Sequence, residues 1–112
     1  MTTISTGGGV STFVNVFTCE PADQEALVST LLAETGAVVS KLPGFVSANI
    51  HRSVDGCRVI NYAQWSDLSA FQEMMRGERG KEFIQKVHQY AKGVDVHLYE
   101  VSHVFDGAEV SA

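Results

Sequence analysis

The sequence predicts an α+β fold in which a four-stranded antiparallel sheet carries helical segments on one face. Segments with the two-residue alternation of strands and segments with helical spacing follow one another in the order β-α-β-β-α-β. The dipeptide Asp55-Gly56 joins the two central strands and is a strong sign of a hairpin. This order of elements is the ferredoxin-like arrangement.

The first half of the chain supplies a strand and a helix. In residues 10–18, apolar and polar side chains alternate as in a half-buried strand. Pro21 suits the first turn of a helix, and leucine and valine residues then recur near helical spacing up to Pro43. Gly36 lies inside this helix and allows a bend, since glycine there is about 1 kcal/mol less favourable than alanine.

The second half supplies an interrupted helix and a strand. Ser66 is the predicted N-cap of a helix that stops at Gly77. A second helical segment is predicted for residues 81–91, and the last strand for residues 94–105.

One domain accounts for most of the 112 residues, and we place it at residues 10–105. Residues 1–9 are rich in Thr, Ser and Gly, a composition typical of disorder, and residues 106–112 form a short tail without a fold pattern. No basic leader and no apolar run of membrane-spanning length is present, so we expect a cytoplasmic protein.

Charge and motifs exclude several classes of partner and cofactor. The net charge of −5 argues against nucleic acid and anionic membranes, which favour basic patches. Cys19 and Cys57 form no disulfide framework and are predicted to be buried free thiols. His88, His97 and His103 show no spacing typical of metal ligands, so no metal site is predicted.

The register of the central hairpin decides which side chains share a face. A two-residue turn would place His51 opposite Ile60. A three-residue loop that ends in a left-handed glycine would instead place Asn49 opposite Asn61. We prefer the second register because it separates the side chains by chemical character.

In that register, one face combines aromatic, small and amide side chains with an imidazole. It carries Phe45, Ser47, Asn49, His51, Cys57, Val59, Asn61, Ala63 and Trp65. Buried amides need hydrogen-bond partners, so this mixture predicts a roomy, partly polar pocket rather than an ordinary core.

The opposite face is apolar in its middle and carries Val46, Ala48, Ile50, Arg52, Arg58, Ile60, Tyr62 and Gln64. Because both helices cover the other side of the sheet, an exposed apolar face of this size marks an interface. We therefore expect a homodimer whose sheets pack face to face.

The sequence Asn-Tyr-Ala-Gln-Trp at residues 61–65 follows a Pro-Gly-Phe strand start at residues 43–45, with His51 between them. This pattern resembles the antibiotic biosynthesis monooxygenase family, most specifically over residues 43–71. Within that family it is similar to the cofactor-free, quinone-forming anthrone oxygenases of aromatic polyketide pathways. The resemblance implies a dimeric α+β barrel that oxidises a phenolic polycyclic substrate with O2 and uses no metal, flavin or haem.

Three residues are the predicted catalytic groups. Asn61 offers hydrogen bonds to a substrate carbonyl or to a developing phenolate, a role that the resemblance supports. Trp65 supplies a flat wall and an indole N–H, although by residue type alone it would be a core residue. His51 has a side chain that titrates near neutral pH and could act as the base, or it could be an ordinary surface histidine.

Four further residues are expected to contact substrate, namely Asn15, Asn49, Phe71 and Met74. Phe71 stands where the family often has a tyrosine, so the hydroxyl of that tyrosine is missing here.

Two other functions are possible on the same scaffold. A haem-degrading monooxygenase would use Asn15 on the first strand and His88 on the last helix, but Met74 stands near the place where those enzymes have a Trp. A non-catalytic dimeric ligand-binding or stress protein is the third candidate, since fold does not fix function.

Overall fold

The computed structural model describes residues 2–107 as one four-stranded sheet with three helices. The elements in chain order are β1 (Ser11–Cys19), α1 (Gln24–Ala37), β2 (Phe45–Arg52), β3 (Arg58–Trp65), α2 (Leu68–Arg76), α3 (Glu78–His88) and β4 (Ala91–Tyr99). The strands lie in the order β2-β3-β1-β4, and every neighbouring pair is antiparallel. The predicted α+β, ferredoxin-like fold is confirmed.

Several element boundaries differ from the prediction. The first helix is shorter than predicted, because single 3-10 turns at Pro21–Asp23 and Val39–Lys41 flank α1. Asp67, rather than Ser66, caps α2, since its Oδ1 accepts a hydrogen bond from the Ala70 N–H at 2.8 Å.

The last strand begins and ends earlier than its sequence pattern indicates. Ala91, predicted to end a helix, begins β4 because it pairs with Cys19 at the end of β1. The strand stops at Tyr99 rather than continuing to residue 105.

The preferred hairpin register is wrong. The Ser53 N–H donates to the Arg58 carbonyl at 2.9 Å, which leaves a four-residue loop, residues 54–57, in place of a three-residue loop. Asp55 stabilises this loop by accepting from the Cys57 N–H at 3.0 Å, a bond that also lowers the pKa of the Asp55 carboxyl. Gly56 has a φ of +83°, a conformation that suits glycine.

The one-residue change in register moves side chains of β2 to the other face. His51 pairs with Ile60, and Asn49 pairs with Tyr62 instead of Asn61. A bulge at Val46 then restores Phe45 to the side of Trp65. Ile50, predicted to lie in the dimer interface, instead packs against the core beneath the helices.

Two clusters of buried side chains join the sheet to the helices. Near the hairpin end of the sheet the core consists of Phe17, Cys19, Leu27, Val28, Leu31, Val59, Val87 and Ala91. Towards the other end Phe13, Val39, Ala63 and Trp65 form a second cluster, against which side chains of α2 pack. No residue of α2 is buried, whereas α1 and α3 each contain buried residues. Helix α2 is therefore the least firmly packed of the three helices.

The segment before β1 contacts the outer face of the sheet, the face that carries no helix. The Thr2 hydroxyl donates to Asn49 Oδ1, and the amide of Gln64 donates to the Thr3 carbonyl, each at 2.8 Å. The predicted tail lies largely outside the described residues, and the domain limits stay predictions. Within residues 2–107, no helix is both long enough and apolar enough to cross a membrane.

Candidate active site

A cavity of about 50 Å³ lies between the sheet and the helices. Its walls come from all four strands and all three helices, and are formed by Asn15, Phe17, Thr35, Val39, Phe45, Ala48, Asn61, Ala63, Trp65, Phe71, Met74, Met75, Phe83, Ile84, Val94 and Val96. None of these side chains is ionisable. The cavity is therefore apolar apart from two amides and one hydroxyl.

The two amides are direct neighbours across β1 and β3. Asn15 pairs with Asn61 in the strand register, so both side chains leave the sheet on the same side. The Oδ1 atom of each is buried and has no hydrogen-bond partner among the described residues. An unmatched buried polar group costs about 1–3 kcal/mol, so two together indicate a site that a polar ligand or water completes.

Aromatic rings form the wall beside these amides. Trp65 is 2% exposed, and its ring makes edge contacts with Phe45 at a centroid distance of 5.5 Å and with Phe71 at 6.1 Å. Phe71 also stacks on Phe13 at 3.9 Å. Asn61, Trp65 and Phe71 all line this cavity, and their roles toward a substrate stay predictions.

Helix α2 closes the cavity on the side away from the sheet. It contributes Phe71, Met74 and Met75 to the lining. Met74 also lines a surface groove beside Gly44 and a cleft between α1 and α3, so it separates the cavity from both. Gly44, with a φ of +86°, lets α2 approach closely, since a Cβ there would collide with Ala70.

His51 and Asn49 do not belong to this cavity. Both lie on the outer face of the sheet, where His51 is exposed and the Asn49 amide donates to the Tyr62 carbonyl at 3.1 Å. The prediction that they share a pocket with Asn61 and Trp65 is wrong, because it depended on the three-residue loop. Without His51, no side chain among the described residues that line the cavity could serve as a general base.

Among residues 2–107, the other histidines belong to no cluster of side chains that could bind a metal ion. Across residues 2–107, no group of three or more His, Cys, Asp or Glu side chains is close enough to bind an ion. His88 is exposed at the end of α3 and is absent from the cavity wall, so the cavity lacks the ligand that a haem-degrading enzyme of this kind would use.

Several lining residues escaped the sequence prediction. Phe83 and Ile84 on α3 and Val94 and Val96 on β4 form a large part of the wall. Their helical spacing and strand alternation mark them as inward-facing. Nothing in that pattern distinguishes a cavity wall from an ordinary core, however.

An apolar, aromatic-walled cavity with paired amides, enclosed between a ferredoxin-like sheet and its helices, is the candidate active site of a small α+β protein. The family model for antibiotic biosynthesis monooxygenase matches residues 11–86, and the chain belongs to that family. The protein is similar to tetracenomycin-F1 monooxygenase of Streptomyces glaucescens, with 37% identity over 108 residues that cover 94% of this chain and 93% of the relative. The predicted resemblance and the assignment as a monooxygenase are confirmed.

Solved structures agree with this assignment. The monooxygenase from the gene ActVA-Orf6 of Streptomyces coelicolor, crystallised with nanaomycin D, is 26% identical, with a TM-score of 0.76 over 85% of this chain and 89% of that one. SnoaB of Streptomyces nogalater, a cofactor-independent oxygenase, has the same fold, with a TM-score of 0.69, 23% identity, and coverage of 87% and 97%.

Proposed function

We propose that this protein is a cofactor-independent monooxygenase that oxidises an anthrone-type polycyclic phenol to a quinone with O2. The observation that carries the proposal is the cavity, where an aromatic wall adjoins two amides whose Oδ1 atoms have no partner among the described residues, and where none of the described lining residues is ionisable. The relative named tetracenomycin-F1 monooxygenase and the complex of the ActVA-Orf6 enzyme with nanaomycin D support the same class of substrate.

The amides suit the oxygen atoms of such a substrate. An asparagine side chain can donate through its NH2 group and accept through its carbonyl, depending on the orientation of the amide. Asn15 and Asn61 can therefore accept from a phenol and donate to a carbonyl on one edge of the ring system. As the carbonyl gains negative charge, a donor in a dry cavity stabilises it more strongly than water does.

The substrate supplies the electrons that reduce O2, and solvent can carry the protons that are lost and regained. The anthrone loses a proton from its activated ring carbon to give an enolate. One electron passes to O2, the two radicals combine to form a carbon–oxygen bond, and the protonated peroxide loses water. One O2 thus converts a CH2 group into a carbonyl and releases one water. The protein contributes a dry, positioned environment.

The missing base has a consequence for the pH dependence. Because no titratable side chain of residues 2–107 lines the cavity, the substrate must ionise through solvent or through its own phenolate. The pH profile of kcat/KM should then follow the acidity of the substrate. Two anthrones of different acidity should give profiles displaced by that difference. A profile that instead moves in a His51→Gln variant would contradict this mechanism.

Substrate entry requires an opening of the cavity. Pockets for molecules of drug size occupy roughly 300–1,000 Å³, far more than the cavity volume of about 50 Å³. Helix α2 is the wall most able to move, since it has no buried residue and ends at Gly77.

Assembly through the outer sheet face is part of the proposal. Ile60 and Tyr62 are only half-buried in the single chain, on a face that no helix covers. A second copy of the chain, packed sheet to sheet, would cover them. A cytoplasmic location is likewise proposed from the sequence.

The direct test is O2 consumption with a dihydroxyanthrone. Purified protein without added metal, flavin or haem should consume one O2 per quinone formed, and isotopically labelled O2 should label the new carbonyl. A chelator should leave the rate unchanged. Turnover that requires an added cofactor would contradict the proposal. Binding of the anthrone without any turnover would favour a ligand-binding protein.

A further inference from the structure

The two cysteines lie directly opposite each other at the hairpin end of the sheet. Cys19 is the last residue of β1, and Cys57 immediately precedes β3. The β1–β3 register pairs Thr18 with Arg58, which makes Cys19 and Cys57 the next pair. The Cys19 N–H donates to the Cys57 carbonyl at 2.9 Å, as expected of residues that face each other across two strands.

Both thiols point to the side of the sheet that the helices cover. Cys19 has the same strand parity as the buried Phe17, and Cys57 has that of the buried Val59. The Cys19 thiol donates to the Gly56 carbonyl at 3.5 Å, and the Cys57 thiol contacts the Asp55 carbonyl at 3.7 Å. The two sulfur atoms therefore contact consecutive backbone carbonyls of the hairpin loop, those of Asp55 and Gly56.

This arrangement is close to that of a disulfide. Cross-strand residues joined by a backbone hydrogen bond have Cα atoms about 5.5 Å apart, inside the range of about 4.4–6.8 Å for disulfides. Their Cβ atoms, about 5 Å apart, must approach by roughly 1 Å. Cys57 can make that movement more readily than a residue inside β3, because it precedes the strand and is bonded to β1 through its carbonyl alone, its N–H being bonded to the Asp55 carboxylate.

We propose that Cys19 and Cys57 are a redox modification site, at which a reversible intramolecular disulfide forms. Both thiols are free in the present structure. The approach of the Cβ atoms that the bond demands would strain it, and strained disulfides are readily reduced. The site is therefore suited to reversible oxidation rather than to a permanent cross-link.

The two cysteines have different parts in the exchange. With a small disulfide such as oxidised glutathione, the half-exposed Cys57 reacts first and expels one glutathione thiolate. The buried Cys19 then attacks the Cys57 sulfur and expels the second glutathione. Two protein thiols are thereby oxidised, their two protons pass to the expelled glutathione thiolates, and one glutathione disulfide is reduced to two thiols.

Resolution by Cys19 is the slow step. Burial, and then the nearby Cys57, Asp23 and Glu20, raise the pKa of the Cys19 thiol, against a smaller lowering by Lys92. Less of the reactive thiolate is present at neutral pH, so the second step should accelerate as the pH rises.

The test equilibrates the full chain in glutathione buffers of graded redox ratio, followed by acid quench and alkylation. In oxidising buffers we expect an intact mass that has lost two hydrogens. Trypsin should release residues 1–41 linked to residues 53–58, because cleavage follows Lys41, Arg52 and Arg58. The oxidised form should melt roughly 5–15 °C higher than the reduced form, because the bond closes the long loop between β1 and β3.

Single serine variants separate the two steps. Cys19→Ser should stop at a glutathione adduct on Cys57, whereas Cys57→Ser should remain unmodified because Cys19 is 2% exposed. Three results would overturn the proposal: both thiols of the wild type remaining fully alkylated in the most oxidising buffer, a lasting glutathione adduct on wild-type Cys57, or a disulfide between two chains.

Discussion

Replacement of Asn61 by leucine should stabilise the fold and disable the enzyme. The two side chains have nearly the same shape, but leucine has no polar atom to bury. Asn61 is 8% exposed, and its Oδ1 has no partner among the described residues. The substitution therefore removes the cost of burying an unpaired polar atom, and with it the amide that we propose binds the substrate.

The size of both effects follows from this geometry. An unmatched buried polar atom costs about 1–3 kcal/mol, so Asn61→Leu should raise the free energy of unfolding by about 1–2 kcal/mol. In a domain of about this size the melting temperature rises by roughly 3–8 °C for each kcal/mol. Loss of a donor to the enolate oxygen should lower kcat and kcat/KM together, by roughly ten- to a thousandfold.

Gln64 on the same strand provides the matched control. Its amide is 2% exposed but fully engaged, since Oε1 accepts from the Ser47 hydroxyl at 2.7 Å and Nε2 donates to the Thr3 carbonyl at 2.8 Å. Gln64→Met also exchanges an amide for an apolar group of similar shape. Gln64→Met should destabilise the fold by about 1–3 kcal/mol, because the Ser47 hydroxyl and the Thr3 carbonyl lose their hydrogen-bond partner.

The assay is urea unfolding of the wild type and both variants at one protein concentration, with O2 consumption measured on the same samples. Opposite signs of the two stability changes are the expected result. A destabilised Asn61→Leu would mean that ordered water already satisfies the Asn61 amide. Normal turnover of a dihydroxyanthrone by Asn61→Leu would refute the role of Asn61 in catalysis.

Three further predictions concern the wall, the gate and the assembly. Trp65→Phe keeps an aromatic face and removes the indole N–H, so it should reduce kcat/KM less than Asn61→Leu; an equal loss would point to the N–H as a donor. Met74→Ala should raise kcat/KM for anthrones with bulky substituents more than for unsubstituted ones, because Met74 separates the cavity from the groove beside Gly44 and from the cleft between α1 and α3. An equal change for both kinds of anthrone would argue against Met74 as a gate to the cavity. Ile60→Glu should shift a dimer to monomer in light scattering at micromolar concentration, since it places a charge on the apolar outer face; an unchanged dimer would locate the interface elsewhere.

The sequence alone determined the order of the elements and the two site residues that lie on β3, Asn61 and Trp65. Alternation, helical spacing and the Asp55-Gly56 dipeptide fix the order of the elements, because these patterns depend on residues close together in the chain. Asn61 and Trp65 share a face for the same reason, since side chains four apart on one strand point the same way in any register.

The tertiary structure decided how the strands are placed against one another. His51 and Asn49 lie on the outer face because the Asp55 carboxylate and the bond from Ser53 to Arg58 fix a four-residue loop, and one residue of shift reverses every side chain of β2. The bulge at Val46 reverses that effect for Phe45. Pairing of Asn15 with Asn61, and of Cys19 with Cys57, likewise depends on a register between strands that are distant in sequence. Local patterns determine which side chains of one strand point the same way. Only the hydrogen bonds between strands determine which face of the sheet those side chains occupy and which residues lie beside them.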